Sequence, residues 1–241
     1  MTRTAVVTGG GTGIGRAIAE TLVEQGLNVT ITGRRKEVLE ETATAIGARA
    51  VAFDAADPAA VEGALTELPD RVDVLVNNAG GNAARRRPPV ADGDLAGVRE
   101  LWLAQYEQNV ISAVLVTTAL TPRLADDGRV ILFGSIAGTR GSGGYGAAKA
   151  AVHNMAADLA ARLGSRRITV NAVAPGLVED TEFFGGTLTQ ERREWLISQA
   201  FNGRAATPGD VAATVAFLAS PSAGHITGQV IHVNGGALLA R

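Results

Sequence analysis

The sequence predicts an α/β fold: one doubly wound domain whose parallel sheet of about seven strands carries helices on both faces. Three observations predict it. Short runs rich in Val and Ile alternate with longer helical patterns almost from end to end. Those runs are apolar on both faces, as strands buried between two helical layers must be. No fixed-period repeat, low-complexity tract or linker divides residues 1–241, so a single domain is expected.

Composition narrows the function classes. With 46% apolar residues the chain can bury a large core, and a net charge of −2 gives no reason to expect nucleic acid or an anionic membrane as partner. There is no cysteine, hence no disulfide, thiolate metal site or cysteine nucleophile. No apolar run approaches the roughly 20 residues of a membrane span, and Met1-Thr2-Arg3-Thr4 leads straight into a strand rather than a signal segment. A soluble cytoplasmic protein is expected. The histidines, His153, His225 and His232, have no metal-ligand spacing, so no metal is expected.

Taken in order, the first strand (residues 4–8) ends in Thr8-Gly9-Gly10-Gly11-Thr12-Gly13-Ile14-Gly15, directly before a helical pattern at 14–25. Glycines at a strand-to-helix turn let backbone approach a pyrophosphate, while the helix N-terminus offers amide donors. No frame gives Gly-x-Gly-x-x-Gly, and Arg16-Ala17 stand where a Walker loop needs Lys-Ser/Thr. The spacing is Thr-Gly-x-x-x-Gly-x-Gly, a dinucleotide turn of a Rossmann-type domain. The second strand (28–32) leads to Gly33-Arg34-Arg35. A carboxylate there would bind the ribose 2′-hydroxyl of NAD; glycine removes it, and Arg34 and Arg35 suit the 2′-phosphate of NADP. Alternatively the two arginines simply open a solvated helix at 36–46.

The third strand (49–53) ends at Asp54, read from the residues as a helix N-cap for 58–67 or a turn aspartate. The fourth (72–76) ends in Asn77-Asn78-Ala79-Gly80. The loop beyond carries Arg85-Arg86-Arg87, read first as a solvated loop and second as a docking point for an anionic partner such as a carrier protein. A long helical stretch around 95–125 holds Asn109, with Trp102 and Tyr106 as a packing pair. The fifth strand (129–134) delivers Ser135, and the helix at 145–163 sets Tyr145 and Lys149 on one face. With only two tyrosines among 241 residues and Lys36 as the other lysine, this Tyr-x-x-x-Lys stands out. An ammonium beside a phenol is expected to lower its pKa towards the range of an acid–base catalyst. The sixth strand (169–173), a lid at about 180–205 with Gly185-Gly186 as hinge, a helix at 189–220 and a seventh strand (229–233) complete the chain.

These motifs together resemble the short-form members of the short-chain dehydrogenase/reductase family over nearly the whole length, similar to 3-oxoacyl carrier-protein reductases and related ketoreductases. The residues that carry the resemblance are the glycine turn, Asn77 to Gly80, Asn109, Ser135, Tyr145/Lys149 and Asn171-Ala172-Val173-Ala174-Pro175-Gly176. It implies catalysis by Ser135, Tyr145, Lys149 and Asn109, with Tyr145 as acid/base between a ketone and a secondary alcohol. It implies cofactor contacts from Gly9, Gly11, Thr12, Gly13, Ile14, Gly15, Arg34, Arg35, Asp54, Asn78, Ala79, Gly80, Tyr145, Lys149, Pro175, Gly176, Val178 and Thr181. Two departures stand out. Thr12 occupies a place where NADP-preferring relatives often carry a basic residue. Relatives also place a threonine five residues after the proline, where this chain has Asp180, so either the loop is shifted by one residue or Asp180 caps the next helix. NADP(H) is favoured over NAD, and a homotetramer or homodimer through the fifth and sixth helices is expected, with residues 147–161 alanine-rich for close packing. A non-catalytic dinucleotide sensor would not need the proton donor. A nucleotide-sugar epimerase or dehydratase normally carries a larger C-terminal domain, and only residues 177–241 follow Gly176.

Overall fold

A computed structural model describes residues 2–239; Met1, Ala240 and Arg241, within the expected 1–241 domain, lie outside the described residues. One sheet of seven parallel strands organises the chain in the order β3-β2-β1-β4-β5-β6-β7. β1 (Thr4–Thr8) pairs with β2 (Asn28–Gly33) on one side and β4 (Val72–Asn77) on the other, so the strand order reverses between β1 and β4. β3 (Arg49–Ala52) closes one edge, while β5 (Leu124–Phe133), β6 (Thr169–Pro175) and β7 (Val230–Val233) extend the other. Ligand crevices in such sheets open outside the carboxyl ends of the strands at the reversal.

Two apolar cores explain why the strands are Val- and Ile-rich on both faces. Ala5, Val7, Val74 and Val76 pack with Ile18 and Leu22 of α1 (Gly13–Glu24), Leu39 of α2 (Lys36–Ile46) and other apolar residues below the sheet. Val6, Leu75 and Leu132 face the opposite way, towards Val61 of α3 (Pro58–Ala64) and the helices between β4 and β6. Alternate residues of one strand thus serve two cores, each buried side chain contributing about 1.5–3 kcal/mol.

Helix ends follow local chemistry. α2 stops at Gly47, left-handed at φ 73°. α3 starts behind Asp57, whose carboxylate accepts from the Ala59 and Ala60 amides, with Pro58 in the first turn. The long stretch expected around 95–125 is α4 (Leu95–Tyr106), a π-helical turn at Glu107–Ile111 and α5 (Ser112–Leu120). The short α6 (Ala137–Arg140) then precedes α7 (Gly143–Leu163). The single helix expected at 189–220 is two, α8 (Gln190–Ser198) and α9 (Pro208–Ala219). Gly203 is left-handed at φ 68°, and Thr207 with Asp210 forms a capping box over Pro208, which restarts the helix. β5 begins five residues earlier than the apolar run suggested, with a register shift against β4 between Val72 and Val74. Asn171 to Pro175 form part of β6 itself rather than following it. Among the described residues no helix is long and apolar enough to cross a membrane.

Candidate active site

The glycine turn lies at the carboxyl end of β1, beside the strand-order reversal. Gly9 (φ 65°) and Gly13 (φ 51°) occupy the left-handed region, and a Cβ on Gly15 would lie 2.1 Å from the Gly9 carbonyl oxygen. Only glycines allow this closure. Thr12 gives α1 no side-chain cap and its first turn contains no acidic residue, so the leading amides face the turn without a side-chain acceptor. Asn78 Nδ2 donates to the Thr8 and Gly9 carbonyls at 3.1 Å each, and the Ala79 amide donates to Thr8 Oγ1 at 3.0 Å. Asn78-Ala79-Gly80 therefore buttresses the turn. An uncapped helix N-terminus behind a glycine cradle fits a pyrophosphate.

The end of β2 fits an added phosphate. Gly33 leaves no carboxylate there, and two guanidiniums follow it. Arg34 stands 3.8 Å from Asp54, both solvent-exposed. Arg35 reaches back over the turn: Nη2 lies 3.4 Å from Thr12 Oγ1, and the fork donates to both Glu182 carboxylate oxygens at 3.2 and 2.7 Å. Arg35 is thus not merely the start of a solvated helix. Asp54 is no N-cap, since that position belongs to Asp57; its Oδ1 accepts from the Ala56 amide at 3.0 Å, a turn aspartate.

The catalytic candidates converge where β5 meets α7. Lys149, 4% exposed, donates from Nζ to the Phe133 carbonyl at 2.8 Å, and Nζ lies 5.9 Å from the Tyr145 ring centroid. Ser135 Oγ accepts from the Ala137 amide at 3.2 Å. Asn109 is buried in the π-helical turn. Its Nδ2 donates to the Gly81 and Gln105 carbonyls at 2.8 Å each, and its Oδ1 accepts from the Gly81 amide at 3.1 Å. A Cβ on Gly80 would stand 2.7 Å from Asn109 Oδ1 and 3.4 Å from Lys149 Nζ, so that glycine lets the three elements meet.

The electrostatics reverse one expectation. Burial pushes the Tyr145 phenol up to about 12; hydrogen bonding with Ser135 and the charge of Arg85 oppose that only in part. Burial also pulls Lys149 down to about 8. The expected lowering of the phenol by its neighbouring ammonium is not what this site does. Lys149 sits against the ring, with its proton directed at Phe133, while desolvation penalises the phenolate.

A family model described as "Enoyl-(Acyl carrier protein) reductase" matches residues 9–237. The 3-oxoacyl-[acyl-carrier-protein] reductase FabG of Escherichia coli K12 is 36% identical over 242 residues, covering 96% of each chain. The short-chain reductase protein NovJ of Streptomyces niveus is 38% identical over 251 residues, covering 96% of this chain and 92% of its own. Among solved structures, a blue fluorescent protein from a metagenomic library in complex with NADPH superposes with a TM-score of 0.85 at 33% identity, covering 98% of both chains. This chain belongs to the short-chain dehydrogenase/reductase family.

Gly176 donates to the Val233 carbonyl at 3.0 Å, and Val178 is buried in the core and bridges Ala206. Asp180 lies in the left-handed region at φ 56° and does not cap the next turn. Thr181 does: its Oγ1 accepts from the Phe183 amide, and a Cβ on Gly13 would lie 3.4 Å from its side chain. Thr181, not Asp180, therefore caps the next turn and rests on the glycine turn. Beyond it, Phe183 packs on Tyr145 with ring centroids 5.7 Å apart, while Gly185 and Gly186 are left-handed and unobstructed.

Two contacts around the site come only with the tertiary structure. His153 lies against Gly134 and against Gly138 of α6, where added Cβ atoms would meet its ring at 2.3 and 2.8 Å. Its Nε2 accepts the Ser135 amide at 3.4 Å, and burial, His232 and Lys149 together hold it near 4, neutral at physiological pH. Its position one turn beyond Lys149 was the available signal. Arg86 and Arg87 are exposed, but Arg85 turns inward to the lid, against the solvated-loop reading. Trp102 of α4 also approaches α7, where a Cβ on Gly144 would lie 3.2 Å from its ring.

Proposed function

We propose that this oxidoreductase is an NADPH-dependent ketoreductase that interconverts a ketone and its secondary alcohol, with Tyr145 as acid/base. The observation that carries the reading is the convergence of Ser135, Tyr145 and Lys149 at the carboxyl end of β5, beside a glycine turn built for a dinucleotide. When bound, NADPH supplies the hydride. Ser135 Oγ and the Tyr145 hydroxyl face the carbonyl oxygen and stabilise its developing charge. A phenol raised to about 12 holds its proton at neutral pH, which suits it to donate in the reductive direction. Lys149 holds the nicotinamide ribose, and Asn109 fixes the Gly80–Gly81 loop beside it and anchors the water that links Lys149 to solvent.

Gly9, Gly11, Thr12, Gly13, Ile14 and Gly15 take the pyrophosphate. Arg34 and Arg35 take the 2′-phosphate, Asp54 the adenine, and Asn78, Ala79 and Gly80 the adenosine ribose. Pro175, Gly176, Val178 and Thr181 flank the nicotinamide, Val178 through its backbone. The fit of a guanidinium pair around Gly33, and a relative solved with NADPH, favour NADP(H) over NAD. Residues 180–205 form the substrate lid of a single domain. The relatives named for 3-oxoacyl carrier-protein reduction put carrier-type thioesters among the substrates to be tested. A cytoplasmic setting goes with this reading, since NADPH-linked reduction draws on an intracellular cofactor pool.

The test is steady-state NADPH oxidation across a panel of acetoacetyl thioesters, cyclic and aromatic ketones and sugars, repeated with NADH. Tyr145→Phe is expected to lower kcat by about 10³-fold or more, with NADPH Kd within about twofold of the parent. Retained turnover in that variant would remove Tyr145 from the mechanism. A protein that binds NADPH but reduces nothing on the panel would be a sensor.

A further inference from the structure

The guanidinium of Arg85 differs from three arginines around the lid. Arg35, Arg193 and Arg204 each pair with a carboxylate, namely Glu182, Glu179 and Asp210. Arg85, on the turn Ala83–Arg86 after β4, has no acidic partner among the described residues. Its Cζ lies 4.4 Å from the centroid of Phe184 and 5.3 Å from that of Phe183. Nη1 donates to Thr187 Oγ1 at 3.2 Å, and Nε is buried with no acceptor. The nearest charge acting on it from the lid, Arg192, has the same sign.

Aromatic faces remove water from a guanidinium but leave its in-plane N–H donors unsatisfied. A buried donor without an acceptor calls for an explanation, and the edge formed by Nε and Nη2 is the fork that a carboxylate accepts bidentately. The place of this fork matters. One ring, Phe183, touches both Arg85 and the catalytic Tyr145, and the charge of Arg85 acts on the Tyr145 phenol. A single aromatic ring therefore lies against both the guanidinium and the phenol.

We propose that Arg85 receives a carboxylate borne by the substrate, so that the preferred substrates are small oxo acids whose ketone meets Ser135 and Tyr145. This deepens the ketoreductase reading and rests on it. The ketone carbon gains a hydride from NADPH and its oxygen gains a proton from Tyr145; the carboxylate is carried through unchanged to give a hydroxy acid and NADP⁺. Phe183, Phe184 and Thr187 all come from the lid, so the same contact closes the lid over an anionic substrate.

The experiment compares matched pairs, acetoacetate with methyl acetoacetate and levulinate with methyl levulinate, on the NADPH-loaded enzyme. An acetoacetyl phosphopantetheine thioester, whose phosphate lies far from its ketone, is a further arm. The parent is expected to favour the acids over the esters by about tenfold or more in kcat/KM. Arg85→Met should lower that ratio by about 10- to 100-fold, mainly through KM, and Arg85→Lys should restore part of it. Calorimetric binding of the unreactive dianion malonate should weaken similarly in Arg85→Met. NADPH binding by both variants shows that they are folded, and if Arg85→Met fails this check, Arg85→Lys carries the comparison. An acid-to-ester ratio unchanged by substitution, a parent that prefers the esters, or a preference confined to the phosphopantetheine thioester would overturn the proposal. If the parent reduces none of these compounds and nothing on the wider panel, the ketoreductase reading fails. Malonate binding then still decides whether Arg85 is an anion receptor.

Discussion

His153 shows how a side chain outside the expected catalytic set can hold that set in place. It accepts the Ser135 amide through an unprotonated Nε2, so protonation would break the contact that fixes the serine backbone. Its folded pKa, near 4, lies below the ordinary 6.5. Between those values the unfolded chain binds more protons than the folded one, so stability is present above about pH 6.5 and lost as pH falls towards 4. Urea midpoints measured from pH 7 to 4.5 should fall in the parent, and His153→Gln should flatten that fall while preserving a polar group against Ser135. An unchanged slope would assign the acid sensitivity to other groups. Tyr145 and Lys149 teach the same lesson in reverse. Adjacent spacing invites a Coulombic argument, but at a buried site the loss of water outweighs an ammonium directed at a backbone carbonyl.

At the scale of elements, the start of the lid is tied to the dinucleotide turn. Thr181 rests on Gly13, and Glu182 occupies both arms of Arg35. A 2′-phosphate arriving at Arg35 must displace that carboxylate. The pair is half exposed, so its worth is modest. Glu182→Gln is expected to tighten NADPH by about two- to fivefold while leaving NADH affinity within error, read by fluorescence titration. Equal effects on both cofactors would show that Glu182 acts on the lid alone. Gly185 and Gly186, both left-handed with open space around them, give this segment the freedom to let go. α8 buries none of its residues, so the proposed lid would have few packed contacts to break on moving.

Across the whole molecule, one apolar face lacks cover. Leu95 is 81% exposed, Leu103 51% and Trp102 43%, all on α4, with Val98 beside them, Ile111 ending the π-helical turn and Val114 on α5. Leu95, Val98 and Trp102 recur at helical spacing on one side. We propose that such a contiguous stripe is an association surface between copies of the chain, on α4 rather than on the fifth and sixth helices where assembly was expected. Light scattering after size exclusion should report a dimer or tetramer for the parent. A Trp102→Glu, Leu103→Glu double variant should shift it to smaller species with the fold retained by circular dichroism. A monomeric parent would withdraw the assembly.

What residue order alone determined here is local or periodic. Strands buried on two faces, the glycine turn, the missing carboxylate at Gly33, Ser135 and the one-turn spacing of Tyr145 and Lys149 depend on neighbours within a few positions. For that reason the seven-stranded sheet and the catalytic candidates were legible before any coordinates. The rest depends on contacts between distant segments. Arg85 meets Phe183 and Phe184 about a hundred positions away, His153 closes on Gly134 and Gly138 beyond the end of β5, and Thr181 lies over Gly13 after Asp180 takes a left-handed turn. The direction of the Tyr145 shift belongs with these. Sequence places two groups side by side, but only packing decides how much water each has lost, and here that loss outweighs their charges.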